Sequence, residues 1–113
     1  MRIIKQNTGA VLAENALVAD NFSARLKGLL GKDSLPSGEA LVLKPCYCVH
    51  TFFMRFSIDV IFVSHQNKVI QCFSELKPFR ITPIYFSSAL AIEFPPGTIA
   101  STATCPGDTL VFD

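Results

Sequence analysis

The sequence predicts a mainly β (α+β) fold, a small antiparallel β-barrel or rolled sheet with one short α-helix near residues 21–30. Three observations carry this. Ser57 to Ser64 and Lys68 to Glu75 are β-branched and aromatic runs flanking the polar connector His65-Gln66-Asn67, which favours an antiparallel hairpin. Ala89 to Phe94 alternates Leu90, Ile92 and Phe94 against Ala89, Ala91 and Glu93, then stops at Pro95-Pro96-Gly97. Only one stretch has a helical period: Phe22, Leu26, Leu29 and Leu30 share a face, with Asp20 or Asn21 as cap and Gly31 as terminator.

The remaining elements follow in order. Ile3 to Lys5, Val11 to Ala13 and Ala16 to Ala19 read as short strands between turn formers. Gly28, inside the helix, costs about 1 kcal/mol against alanine and so points to a close approach to a strand. Pro36-Ser37-Gly38 makes a turn into a strand at Glu39 to Lys44, with Ala40 and Val42 on one face and Leu41 and Leu43 on the other. The run from Cys46 to Phe56 reads as extended backbone. Lys77 to Phe86 reads as an irregular loop, because Pro78 and Pro83 each remove a ladder donor. Cys105-Pro106-Gly107-Asp108 is a turn leading into a last strand at Thr109 to Phe112.

With 113 residues and no repeat, linker or low-complexity tract, residues 1–113 read as a single domain. Hydrophobic residues make up 50% and charged residues only 17%, against a usual charged share of about 25%, so the surface is short of charge and an apolar contact patch is expected. A net charge of +1 without a basic run argues against nucleic acid as a partner. No apolar segment approaches the roughly 20 residues of a membrane span, and no signal-peptide core opens the chain. A cytoplasmic protein is expected, and its four cysteines are then expected to be thiols.

The chemistry-bearing side chains concentrate between residues 46 and 63. Cys46, Cys48 and His50 stand at i, i+2 and i+4, one face of an extended backbone, and are the ligand types zinc or copper selects. A fourth ligand would have to come from distant Cys72, His65 or Cys105, and buried packing of the cysteines is the commoner outcome. A Cys–His nucleophile and base is disfavoured within one strand, where neighbours on a face stand ~6.5 Å apart. Asp59 shares strand parity with Ile61 and Val63 and would enter the interior with them. Arg25 and Arg55 are the candidates to neutralise Asp59 and Glu93 in a register-fixing ion-pair network. His50, Thr51, Arg55 and Asp59 could instead converge on a small polar pocket walled by Phe52, Phe53, Met54 and Phe56, with Met54 counted among the binding residues. No Gly-rich phosphate loop, nucleophile elbow or metalloprotease motif is present, and no cofactor is implied.

The order Ala24-Arg25-Leu26-Lys27-Gly28-Leu29-Leu30-Gly31, then Gly38-Glu39-Ala40-Leu41, then Val49 through Phe62, then Ala91 through Gly97 and Pro106-Gly107-Asp108, resembles the domain of unknown function 192 (DUF192) family, also called uncharacterised protein family 0127. The resemblance covers nearly the whole chain. It implies a small, mostly β domain with one helix, and motif positions at Arg25, Gly28, Thr51, Met54, Asp59, Glu93, Gly97, Gly107 and Asp108. It implies no activity. Ser57 stands where such relatives usually have proline, which suggests a less rigid approach to the strand. The expected function is a binding or accessory module for a peptide, protein partner or small ligand, acting at the end of the sheet near Thr51, Arg55 and Asp59; a homo-oligomer would use the same apolar excess. The alternatives are a small enzyme using His50, Asp59 or a cysteine, and a metal-binding protein using Cys46, Cys48 and His50.

Overall fold

The computed structural model describes residues 1–19 and 32–113. The helix expected over 21–30, with Arg25 and Gly28, lies outside them. Among the described residues, eight strands and one helix follow in order: β1 (Ile3–Lys5), β2 (Val11–Ala13), β3 (Asn15–Ala19), β4 (Glu39–Leu43), β5 (Ile58–Ser64), β6 (Val69–Leu76), β7 (Ser88–Phe94), α1 (Thr98–Thr102) and β8 (Leu110–Phe112).

The strands form two sheets, ordered β2-β1-β8 and β3-β4-β7-β5-β6, and do not close into a barrel. The reason is visible in the central strands. Every residue of β7, and all of β5 except Ser64, is buried. A barrel wall turns one face to solvent, whereas near-continuous apolar runs such as Ile58–Val63 need cover on both faces. The small sheet supplies it on one side: Ile3, Leu12, Ala13 and Leu110 pack with Ala40, Val42, Ile61, Val63, Ile92 and Phe94. On the other side Val60, Phe62, Leu43 and Ala91 pack beneath Leu35, Val49 and Met54, with Phe56 and Tyr85 against them.

The β5–β6 hairpin forms as expected, and its turn places Asn67 at φ 63° while Ser64 Oγ accepts the N–H groups of Gln66 and Lys68. Pairing is antiparallel throughout except between β3 and β4, which run parallel in the register Asn15 with Glu39 through Ala19 with Leu43. A parallel pair needs a crossover of about a dozen residues or more, and residues 20–38 provide the length.

Segment 46–56 departs from the extended backbone its composition suggests. No regular strand forms there: a short stretch around His50 is bridged to Ile81, a turn follows at residues 52–53 and a bend at 55–56, and Cys46 Sγ donates to the carbonyl of Cys48 at 3.1 Å, so the two cysteines do not stand side by side on a strand.

The five-residue α1 is the element that sequence periodicity misses. Its N-cap is Gly97 at φ 96°, a left-handed conformation that glycine adopts without strain, and no side chain of the cap residue bonds the first turn. Asp59 performs that job from β5: its Oδ2 accepts the Ile99 N–H at 2.8 Å. At the other end the Lys5 ammonium, almost fully buried, donates to the carbonyls of Thr102 (2.9 Å) and Ala103 (3.1 Å) and lies 3.5 Å from Asp108. A cation on the last carbonyls of a helix is the favourable polarity. Asp108 in turn accepts the Cys105 N–H, and that bond, with Lys5 nearby, holds its carboxyl below the usual carboxylate range.

Candidate functional site

Two loops cover one face of the five-stranded sheet, residues 44–57 between β4 and β5 and residues 77–87 between β6 and β7. Pro45, Pro78 and Pro83 prevent either from joining the sheet as a regular strand. They bond to each other instead. Thr51 N–H donates to Arg80 O (2.8 Å), Phe79 N–H to Thr51 O (3.0 Å), Thr82 N–H to Val49 O (2.9 Å) and Tyr85 N–H to Tyr47 O (2.8 Å). The alternation of an extended pair then sorts the side chains: Val49, Thr51 and Thr82 point inward and are buried, while Cys48, His50 and Ile81 are exposed.

Thr51 is the pin of this seam. Its fully buried hydroxyl donates to Lys77 O at 2.6 Å and accepts the Arg80 N–H at 2.9 Å. Thr51→Val keeps the shape and removes both bonds, leaving the Lys77 carbonyl and the Arg80 N–H without this partner. A loss of about 2 kcal/mol is expected in urea unfolding, with faster amide exchange at Arg80.

The seam carries aromatic rings into solvent. A turn closed by Met54 N–H to Thr51 O (3.2 Å) has Phe53 at φ 65°, where turns ordinarily place glycine or asparagine. Phe79, across the seam, has φ 61°. Positive φ costs a bulky residue on the order of 1 kcal/mol or more, and here it is spent twice to hold two rings outward. The side chains are 77% and 58% exposed and meet edge to face with centroids 5.9 Å apart. His50 stacks on half-exposed Phe52 at 5.3 Å, and Tyr47, Ile81, Ile84 and Phe86 (84% exposed) extend the apolar surface along the same two loops.

The sequence-derived site residues therefore divide. His50 and Thr51 lie in the seam, one outside and one inside, and Met54 is buried beneath it. Arg55 pairs with Asp33 at 2.9 Å, both well exposed, an arrangement worth little in water. Asp59 is fully buried and points to the other side of the sheet, where Oδ1 accepts the Glu75 N–H and Oδ2 that of Ile99, both at 2.8 Å. Glu75 (φ 51°) sits in a bulge of β6 opposite Asp59, so the carboxylate fills a gap in the ladder. Glu93 pairs in register with Val60, the neighbour of Asp59, and so occupies the opposite face from Asp59. It is 4% exposed, and burial pushes its carboxyl up to about 7. Among the described residues, Arg55 reaches neither Asp59 nor Glu93; Arg25 lies outside them.

Catalytic and metal arrangements are not assembled among the described residues. No hydrogen bond joins His50 to a thiol or a carboxylate there, and none of the four cysteines forms a disulfide. Cys72 is half-buried, and its thiol is pushed up to about 11, chiefly by burial and then by the nearby Cys105, Asp108 and Asp59, which leaves it a poor nucleophile. No three His, Cys, Asp or Glu side chains come together as a ligand set. An open depression of ≈ 200 Å³ lies away from the seam, lined by Glu14, Ser37, Thr98, Ser101 and Thr102 among others, and offers one carboxylate without a partner base or nucleophile. No helix among the described residues is long and apolar enough to cross a membrane.

Sequence reasoning missed how the loops combine charge with these rings. Lys44, Arg55, Lys77 and Arg80 are their ionised residues, with no Asp or Glu in 44–57 or 77–87. The other six Lys and Arg and all nine Asp and Glu lie elsewhere, so the loops carry +4 and the rest of the chain −3. The signal was available in the absence of acid from both segments, but only the pairing of the loops unites it.

Similar proteins share this fold without revealing a reaction. A UPF0127 protein of Thermococcus gammatolerans is 29% identical over 115 residues, spanning 98% of this chain and 74% of that protein. A crystal structure of a protein of unknown function from Novosphingobium aromaticivorans superposes with a TM-score of 0.83 at 17% identity, covering 99% of this chain and 84% of the other. A Sinorhizobium meliloti structure named a "putative transcription regulator" superposes at 0.78 and 18% identity, covering 97% and 89%. The model of the DUF192 family, described as uncharacterized ACR, matches residues 3–112, and the chain belongs to that family.

Proposed function

We propose that the protein is a non-enzymatic docking module whose contact surface is the aromatic seam of loops 44–57 and 77–87. The observation that supports this best is the pair Phe53 and Phe79: two phenylalanines at positive φ on facing loops, the Phe79 N–H bonded to Thr51 O, holding exposed rings against each other. Strain retained at an exposed apolar position is explained by contact with something outside the chain.

Benzoylphenylalanine at position 86 is expected to cross-link in the source cells and raise the intact mass of the protein, and the adducts should disappear when Phe53 and Phe79 are both changed to Ser. The same probe at Val111 on β8, an exposed position on the other sheet, should give none. Equal labelling from both positions, or none from position 86, refutes the reading.

A further inference from the structure

We infer that the partner of this seam is the surface of an anionic lipid bilayer, an inference that rests on the docking reading above. Two features select a membrane over other anionic partners. Phe53, Phe79 and Phe86 project with 58% or more of each side chain exposed, and Ile81 and Ile84, at 63% and 56%, lie on the same loop as Phe79 and Phe86. Aliphatic isoleucines have no stacking use on a nucleobase, whereas acyl chains accept any apolar group that reaches them. No acid lies in either loop, and with Arg55 paired to Asp33 it is Lys77 and Arg80, on either side of Phe79, that bring charge beside the rings, so apolar insertion and headgroup attraction come from one short segment.

The backbone suits the task. An irregular loop entering an apolar medium is costly if its N–H and C=O groups are unmet, and here the two loops meet several of each other's, so the rings can enter at interfacial depth while the backbone stays among the headgroups. Insertion would be shallow and reversible, with no segment crossing.

Co-sedimentation of the full chain with phosphatidylcholine vesicles, with and without phosphatidylglycerol, tests this. Binding should be measurable only with phosphatidylglycerol and should fall as salt is raised. Lys77→Gln and Arg80→Gln should each weaken it about 5-fold, the effect of about 1 kcal/mol per cation. Combined F53S, F79S and F86S should abolish it while the variant keeps a cooperative urea transition, because those rings are exposed and outside the core. Failure of the parent to bind phosphatidylglycerol vesicles overturns the inference, as does binding that survives loss of the three rings. If cross-linking from position 86 then yields a polypeptide or oligonucleotide mass instead of a lipid, the docking reading stands and the lipid assignment falls. Absence of both vesicle binding and adducts removes the docking reading as well.

Discussion

Asp59→Ala is expected to lower the unfolding free energy by about 4 kcal/mol, more than any other single substitution considered for this protein. The carboxylate accepts two N–H groups from separate parts of the chain, that of exposed Glu75 in the β6 bulge and that of buried Ile99 in the first turn of α1. A hydrogen bond to a carboxylate contributes roughly 1.5–3 kcal/mol, and the acceptor at 0% exposure holds both while the Ile99 donor is buried. Asp59→Asn retains one acceptor but turns an amide N–H toward the second donor, and should cost about half as much. Urea unfolding gives the totals. Native-state hydrogen exchange gives the mechanism: in the Asn variant the Ile99 or the Glu75 amide should lose protection ahead of the β5–β7 ladder. A loss below 1 kcal/mol for the Ala variant would mean the bulge and α1 hold themselves, and Asp59 would then need a role other than a clamp.

That result would also explain why the sequence was legible on one side of β5 and opaque on the other. Parity alone placed Asp59 with Ile61 and Val63, and alternation alone sorted Ala40, Val42, Leu90, Ile92 and Phe94 onto the face shared with the small sheet. Period 2 is local, so it survives without knowledge of partners. The relation between Asp59 and Glu93 is not local: it depends on Val60 standing opposite Glu93 and Phe94 opposite Asp59, a register set by packing. Two acidic residues that composition would join in one network are thereby separated by the thickness of the sheet.

The short helix was opaque for a different reason. Thr98-Ile99-Ala100-Ser101-Thr102 is rich in residues of modest helix propensity and too short to display a 3.6 period, and it forms where Asp59 and Lys5, 40 and 97 positions away in sequence, satisfy its ends. The seam was half-legible. Prolines announced the 77–87 loop, but the apolar run Val49 to Phe56 has the composition of a strand, and only the turn closed by Thr51 and Met54 shows it to be a platform for exposed rings. Charge followed the same rule: four cations spread over 37 positions make no cluster until two loops pair.

Raising the pH through neutrality is expected to destabilise the native protein through Glu93. Its carboxyl, ordinarily near 4.5, is held at about 7 by burial, so between those values the folded chain keeps a proton that the unfolded chain has released. The stabilisation this represents is complete below pH 4.5 and is lost as the pH climbs through 7, amounting to roughly 3 kcal/mol. Glu93→Gln fills the same space without ionising. Across urea titrations at pH 5 and pH 8 the variant should gain about 2–3 kcal/mol relative to the parent. A gap that does not change with pH would mean that a cation neutralises the carboxylate, the part the sequence offers to Arg25, and truncating Arg25 should then restore the pH dependence. The consequence reaches the seam, because Glu93 lies on the face of β7 that carries Ala91 and the packing of Met54 and Tyr85. Ionisation at high pH places an unsolvated charge under the loops, so amide exchange of Thr51 and Arg80 should accelerate from pH 5 to pH 8 beyond the intrinsic base catalysis, and should cease to do so in Glu93→Gln.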